Sequence, residues 1–424
     1  MRGVLKIWLP IALLVAAGFA LAWRFVDPAP PKRFAFAGGA AGGAYAEFAE
    51  RYRALLAKDG IALELRETNG SLDNLRRMNA EPPTADAGFV QGGVGSEEGA
   101  PGLATLASVF FEPVWLVLRN ELAVAKLSDL RGLRVAVGGE GSGTQVLVRQ
   151  MLRANGLDAL RDIAPASLGT DAAFAALAAG AIDAAFVVSA RPPAALADML
   201  AAGRHRLFSF ARHEAYRLQF PFLSSVVLPA GGLDLARDLP REDTILLAPV
   251  AQLVVREDLH PALVGLLLRA AQQVHKPRQL FAAAGTFPTT NFNNFELHED
   301  AARLIERGPS FAVRFLPFWA AVLAERLVVL LIPLLTLLIP LARIAPPAYR
   351  WQVRSRIFSK YKLLRRIERE LRASPSTEAM ARLQTELAAL QQAAEALRVP
   401  VSYADTLYNL RLHIRFVREI VAPR

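Results

Sequence analysis

Ser142, Gly143 and Thr144 end a run in which Gly139, Gly141 and Gly143 alternate with other residues, immediately ahead of an apolar-periodic stretch. A helix that opens there presents unpaired backbone N–H groups and a partial positive charge. With two hydroxyls beside them, the chemistry on offer is the holding of a small anion. The same residues serve equally well as an ordinary capped strand–turn–helix. The spacing of the three glycines is not the dinucleotide fingerprint, and no Lys follows Gly143 as a phosphate-binding P-loop requires. The chain has no cysteine, which excludes thiol catalysis, disulfides and Cys-ligated metals. Its six histidines are scattered without metal-ligand spacing, and His205 and His213 read as surface groups. No Ser–His–Asp arrangement or close carboxylate pair stands out, so the residues point to binding without turnover and call for no cofactor.

The elements that must position these residues follow from periodicity. Residues 133–137 form a short strand ahead of the glycine turn, and an amphipathic helix follows it. Upstream, strands are expected at 34–37, 62–67 and 87–91, with helices at 45–58 and 72–79 between them. Downstream come a helix at 171–179, a strand at 182–188, a strand at 245–255 and a helix at 261–274. Strands alternating with helices imply an α/β protein with parallel sheets, whose sites gather at the carboxyl ends of strands. Tyr45, Ser71 and Gln91 fall at such ends in the first half. Ser142, Gly143 and Thr144 do so in the second, with Thr170 or Asp171 opening the neighbouring helix. Tyr45 offers a ring and a hydroxyl, Ser71 a helix cap, and Gln91 an amide that both donates and accepts. The competing roles are core packing for Tyr45, capping for Ser71 and Thr144, and a hinge hydrogen bond for Gln91. Glu112 and Pro113 fall on the strand between lobes, where a structural hinge role is favoured over binding of an amino group by the Glu112 carboxylate, and Asp183 reads as a turn or packing residue.

Several motifs carry a resemblance. They are Leu127-x-Asp129-Leu130-Arg131-Gly132-Leu133-Arg134-Val135-Ala136-Val137-Gly138-x-Glu140-Gly141-Ser142-Gly143-Thr144, preceded by Gly70-Ser71-x-x-Asn74-Leu75, Asp86-x-Gly88-Phe89-Val90-Gln91-Gly92-Gly93 and Phe111-Glu112-Pro113-x-Trp115. Later come Gly180-x-Ile182-Asp183-Ala184, Gly308-Pro309-Ser310-Phe311 and Leu316-Pro317-Phe318-Trp319. In this order they resemble TAXI-type solute receptors, the binding subunits of one class of TRAP transporters, over roughly residues 34–367. The resemblance implies a two-lobed, periplasmic-binding-protein-like (type II) domain whose chain crosses twice between lobes that close like a hinged clamp. It also implies a glutamate-like or dicarboxylate ligand and delivery to TRAP membrane permease subunits. Ala37-Gly38-Gly39-Ala40 departs from the family by lacking the hydroxyl residue usual there, which bears on the ligand rather than the fold.

Two apolar segments bracket the α/β region. The first, 7–23, follows Arg2 and Lys6 and precedes a proline-rich break; it reads equally as a signal peptide or an uncleaved anchor, and the resemblance to the receptor family favours the anchor. The second includes the uncharged run 327–342 and is followed by a strongly basic stretch, which places its far end in the cytoplasm. The net charge of +10 therefore points to the positive-inside rule rather than to nucleic acid. The expected organisation is an N-terminal transmembrane anchor or signal anchor at 1–26 and an extracytoplasmic two-lobed domain at 33–315. Lobe 1 takes about 33–120 and 240–315, and lobe 2 about 125–235. A transmembrane helix follows at 320–342, then a basic helical cytoplasmic tail at 343–424. In the tail, Met380, Leu383, Leu387, Leu390, Ala394 and Leu397 form a short heptad stripe that suggests an antiparallel hairpin with the helix carrying Leu364, Ile367 and Leu371. The basic final helix suits either packing on that hairpin or resting on anionic lipid. A membrane-tethered receptor for a small carboxylate or amino acid is the favoured reading, and a ligand sensor signalling through the second span and tail is the alternative.

Overall fold

The computed structural model describes residues 30–95, 101–308, 315–373 and 376–421, together with Leu13, Ala16, Ala17, Gly18 and Ala20. The chain divides into two compact units, one formed by Pro28–Val322 and the other by Met1–Asp27 with Leu323–Arg424.

In the first unit, strand β1 (Arg33–Ala37), helix α1 (Ala44–Ala57), strand β2 (Ala62–Arg66), helix α2 (Ser71–Met78) and strand β3 (Ala87–Gln91) make one βαβαβ run. Strand β4 (Leu103–Phe111) then leads through Glu112 and Pro113 into β5 (Val114–Arg119). A second βαβαβ run follows: β6 (Arg134–Ala136), α3 (Gly143–Ala154), β7 (Ala164–Ala166), α4 (Thr170–Ala178) and β8 (Ala184–Val188). Helix α5 (Leu196–Ala201), β9 (His205–Leu207), α6 (His213–Gln219), β10 (Leu223–Leu228), β11 (Thr244–Arg256), α7 (Pro261–His275) and α8 (Glu299–Arg307) complete it.

The strands form two sheets, ordered β10-β11-β3-β1-β2, with β4 also on β11, and β7-β6-β8-β5-β9. The unit is thus a two-lobed α/β structure. Within each βαβαβ run the pairing is parallel, β1 with β2 and β3, and β6 with β7 and β8. The expectation of parallel sheets is corrected for the rest. β11 runs antiparallel to β3, β4 and β10, and β5 runs antiparallel to β8 and β9. A helical crossover brings a chain back in the same direction, so parallel pairs occur where helices intervene. The antiparallel pairs all involve β5 or β11, the strands that adjoin the connections between the two sheets.

Those connecting strands lie side by side: the Glu112 N–H donates to the Pro249 carbonyl at 2.9 Å, halfway along β11. The first half of β11 places Leu246, Leu247 and Ala248 in the cores around β5, β6 and β8. Its second half places Ala251, Leu253 and Val255 in the core with Phe36, Tyr52, Phe89 and Phe110. Removing each such ring or branched side chain from water stabilises the fold by about 1.5–3 kcal/mol. β11 is therefore apolar on both faces, and no alternation marks it as a strand shared by two cores.

The second unit holds helix α9 (Phe318–Arg372, 55 residues) from Leu323 onward, followed by α10 (Thr377–Glu395) and α11 (Ala404–Val421). Ile357, Leu364 and Ile367 of α9 share a core with Leu383, Leu387, Leu390 and Ala394 of α10, and with Leu407, Leu410, Ile414 and Val417 of α11. The expected hairpin is thus a three-helix arrangement, because the last helix adds its own apolar stripe to the same core. The expected span at 320–342 falls in the first part of α9, continuous with the expected tail. Among the described residues no helix is long and apolar enough to cross a membrane. The expected anchor at 7–23 lies, but for the five residues named above, outside the described residues.

Candidate functional site

The openings of α2 and α3 meet at the seam between the two βαβαβ runs. Gly70 caps α2 with φ 118°, a conformation that L side chains rarely adopt. A Cβ there would stand 3.4 Å from the Cα of Ser142. Opposite, a Cβ on Gly143 would come within 2.7 Å of the Gln91 side-chain oxygen. The glycines thus let the backbones of the two helix openings approach each other directly. The Asp73 N–H donates to the Gly141 carbonyl at 3.4 Å, and Gln91 Nε2 donates to the Gly143 carbonyl at 3.2 Å. The seam is closed by protein-to-protein hydrogen bonds.

Behind it runs a buried polar chain. The Gln91 N–H donates to Ser71 Oγ at 2.9 Å, Ser71 Oγ lies 3.2 Å from the Tyr45 hydroxyl, and that hydroxyl donates to Glu112 Oε2 at 2.9 Å. Because Tyr45 gives its single proton to Glu112, the Ser71 hydroxyl must donate to the Tyr45 oxygen. Each donor in this chain polarises the next. Ser71, Gln91 and Glu112 are all buried. Burial drives the Glu112 carboxyl up to about 8, against the lowering effect of the Tyr45 hydrogen bond. The Tyr45 hydroxyl is pushed well above its ordinary value, first by burial and then by the nearby Glu112 charge.

Ser142 caps α3: its Oγ accepts from the Gln145 N–H at 3.2 Å and donates to the Gly139 carbonyl at 2.6 Å. Gly143 and Thr144 form the first turn. The structure therefore brings Tyr45, Ser71, Gln91, Ser142 and Gly143 to one seam, with Thr144 beside them. Thr170 and Asp171 open α4 behind the cap Gly169 and are exposed. They adjoin the group through their loop, since a Cβ on Gly139 would lie 3.7 Å from the Gly169 nitrogen. The expectation that Ser71 caps α2 is corrected. Gly70 holds the cap position, and Ser71, one residue inside, turns its hydroxyl to β3 and α1.

Sequence reasoning favoured a hinge role for Glu112 over binding of an amino group, and the structure places it at the end of the polar chain. The signal was the Phe111-Glu112-Pro113 step, an acid between two apolar strands. Asp183 keeps the structural role expected of it. It accepts from the Arg134 backbone N–H at 3.0 Å, from Arg134 Nε at 3.0 Å and Nη2 at 2.7 Å, and from Arg119 Nη1 at 3.2 Å.

Comparison with known proteins places the geometry in context. The chain matches the NMT1-like family over residues 36–287, which takes in the whole seam. Among solved structures it is similar to the alkanesulfonate-binding protein SsuA from Xanthomonas axonopodis pv. citri bound to MOPS, at 25% identity and a TM-score of 0.33. That match covers 43% of this chain and 62% of the other. The periplasmic aliphatic sulphonate-binding protein SsuA from Escherichia coli matches at 17% identity and a TM-score of 0.34, covering 57% of this chain and 68% of that one. The substrate-binding protein of an amino acid ABC transporter matches at 10% identity and a TM-score of 0.35, covering 57% and 92%.

Proposed function

The chain belongs to the NMT1-like family, and we propose that it is a solute receptor that binds a small organic anion or amino acid by closure of its two lobes. One observation carries the proposal: two helix openings face each other across a seam that hydrogen bonds close and a buried polar chain backs. When the lobes part, Gln91 separates from the Gly143 carbonyl, and the first turns of α2 and α3 become available to a carboxylate without any arginine. An amino-acid ligand has a second partner in Glu112. A ligand ammonium beside it favours the charged carboxylate that burial alone opposes. Tyr45, Ser71, Gln91, Ser142, Gly143 and Thr144 are the assigned contacts, with Thr170 and Asp171 at the rim. Binding and release complete this role, with no chemical step.

The finer assignment is a TAXI-type receptor serving TRAP permease subunits, tethered to the plasma membrane with its lobes outside. The order of sequence motifs supports the family type. The uncharged run 327–342 and the basic residues after it support the tether and a cytoplasmic tail. A sensor reading draws support from the tail, a bundle with a core of its own. Deleting the tail separates the two, since a receptor for uptake keeps transport while a sensor loses its response.

The test is a thermal-shift series on the detergent-solubilised full-length chain with amino acids, keto acids and dicarboxylates. A ligand that binds the native state alone raises the midpoint with its concentration over its Kd. A rise with one acid, lost in the Ser142→Ala/Thr144→Ala double variant, is the expected result. No rise with any acid refutes the carboxylate assignment.

A further inference from the structure

On another side of the same two helices lies a recess of about 350 Å³ that contains none of the residues assigned above as ligand contacts. Its walls include Arg76 of α2, Arg149 and Arg153 of α3, and the turn Gly93–Gly95 after β3. No acidic side chain lines it among the described residues. Some arginines of this unit pair with acids, Arg77 with Asp73, Arg134 with Asp183 and Arg256 with Asp258. The three arginines of the recess have neither a salt bridge nor a side-chain hydrogen bond among the described residues. Arg149 and Arg153 stand four residues apart on one helix face, an arrangement that is repulsive on its own. Arg76 adds a third positive charge from the other lobe. Among the described residues, these three guanidiniums around one concavity have no counter-charge.

We propose that this recess binds a multivalent oxyanion, a compact molecule carrying two or more carboxylate or phosphate groups. The guanidinium fork matches both groups in a bidentate fashion, and a site with three forks favours polyvalent over monovalent anions. The volume suits a molecule of about citrate size. Since Arg76 belongs to one lobe and Arg149 and Arg153 to the other, an anion bridging them is held in the closed arrangement and stabilises closure. By linkage, its occupancy tightens any ligand that needs the closed lobes. The proposal stands independently of what the seam itself binds.

The experiment titrates the full-length protein in detergent with citrate and with inorganic phosphate, following the thermal midpoint and the heat of binding. Acetate and chloride at matched ionic strength serve as monovalent controls. A saturable response to citrate or phosphate, absent with the monovalent salts, is expected. Arg149→Gln and Arg153→Gln are each expected to weaken it by about tenfold, the loss of one charge-assisted contact. Arg149→Lys, which keeps the charge but not the fork, is expected to fall between. The response survives Ser142→Ala/Thr144→Ala, which separates the recess from the seam. The two probes distinguish a polycarboxylate from a phosphorylated ligand by which binds more tightly. A citrate response equal to that of chloride overturns the proposal. So does one that vanishes in the Ser142/Thr144 variant while persisting in the arginine variants.

Discussion

Glu112 and Asp183 are both buried carboxyls, 4% and 8% exposed, yet the protein drives them in opposite directions. Asp183 sits at about 2 because the Arg134 side chain bonds it, with the Arg134 backbone N–H and the Arg119 charge adding to that. Glu112 sits at about 8 because burial removes water and, among the described residues, no cation replaces it; a tyrosine hydroxyl is what it has instead. Both side chains are shielded from solvent, but Glu112 lies much deeper in the protein, so depth of burial raises it while the arginine partners hold Asp183 down. Asp183 is fully committed and fixes β6 against β5 and β8. Glu112 is poised, so a single added positive charge tips it, and that suits a group lining a place where ligands come and go.

The largest test of this contrast is the pH dependence of Glu112. A carboxyl raised from 4.5 to about 8 on folding leaves the native state holding a proton that the unfolded chain has released. Stability is then complete below about pH 4.5 and declines as pH rises to about 8. We expect the contribution to fall by about 4 kcal/mol across that window, from the size of the shift. Glu112→Gln keeps an acceptor for Tyr45 and should flatten the window, giving a variant more stable than the parent at pH 8 and similar to it at pH 5. Urea midpoints at the two pH values check this. A parent already flat between them breaks the comparison.

Asp183→Asn comes next. It leaves Arg134 and Arg119 facing an amide in place of a charge, with an expected loss of about 2 kcal/mol at pH 7, since Arg134 is partly exposed and solvent screens part of the pair. The sign on acidification is opposite to that of Glu112. The folded carboxyl is depressed from 3.8 to about 2, so its stabilisation is present above about pH 4 and lost as pH falls towards 2. Acid denaturation of the Asn variant should lack this limb. Tyr45→Phe follows at about 1.5 kcal/mol, the cost of leaving a buried acceptor without its donor. It also removes the bond that lowers the Glu112 carboxyl, so the pH decline should move to higher pH. A decline that moves lower would place another donor on Glu112.

These contrasts also mark what the sequence could convey. The strand at 87–91 and the opening of α3 at Ser142 were legible because a short run ending in glycines and a Gly/Ser helix start are local signals. The direction of β11 was not, since a strand apolar on both faces carries no mark of its neighbours. The place of Ser71 was missed by one residue because Gly70 takes the left-handed cap that a serine would not. The state of Glu112 depends on Tyr45, 67 residues away in the chain, and no spacing rule reaches that far. Arg149 and Arg153 belong to no motif that the sequence marks out. Only the facing Arg76 turns them into a recess.

The smallest expected effect asks whether the committed-versus-poised distinction extends across the seam. Ser142 is committed in the manner of Asp183, with its oxygen accepting from Gln145 and its proton given to Gly139. Ser142→Ala should therefore cost about 1 kcal/mol as a lost helix cap, with no change between pH 5 and 8, because no titrating group touches it. If the hydroxyl is only a cap, a binding carboxylate still finds the α3 N–H groups, and Ser142→Ala alone leaves affinity within about twofold once the stability loss is allowed for. If the hydroxyl turns from Gly139 to the ligand on opening, affinity falls by about tenfold, the worth of one charge-assisted hydrogen bond. Measuring stability and ligand affinity on the same variant separates these outcomes. Ser142 joins Glu112 as a group that binding redirects only if the affinity loss exceeds what the cap explains.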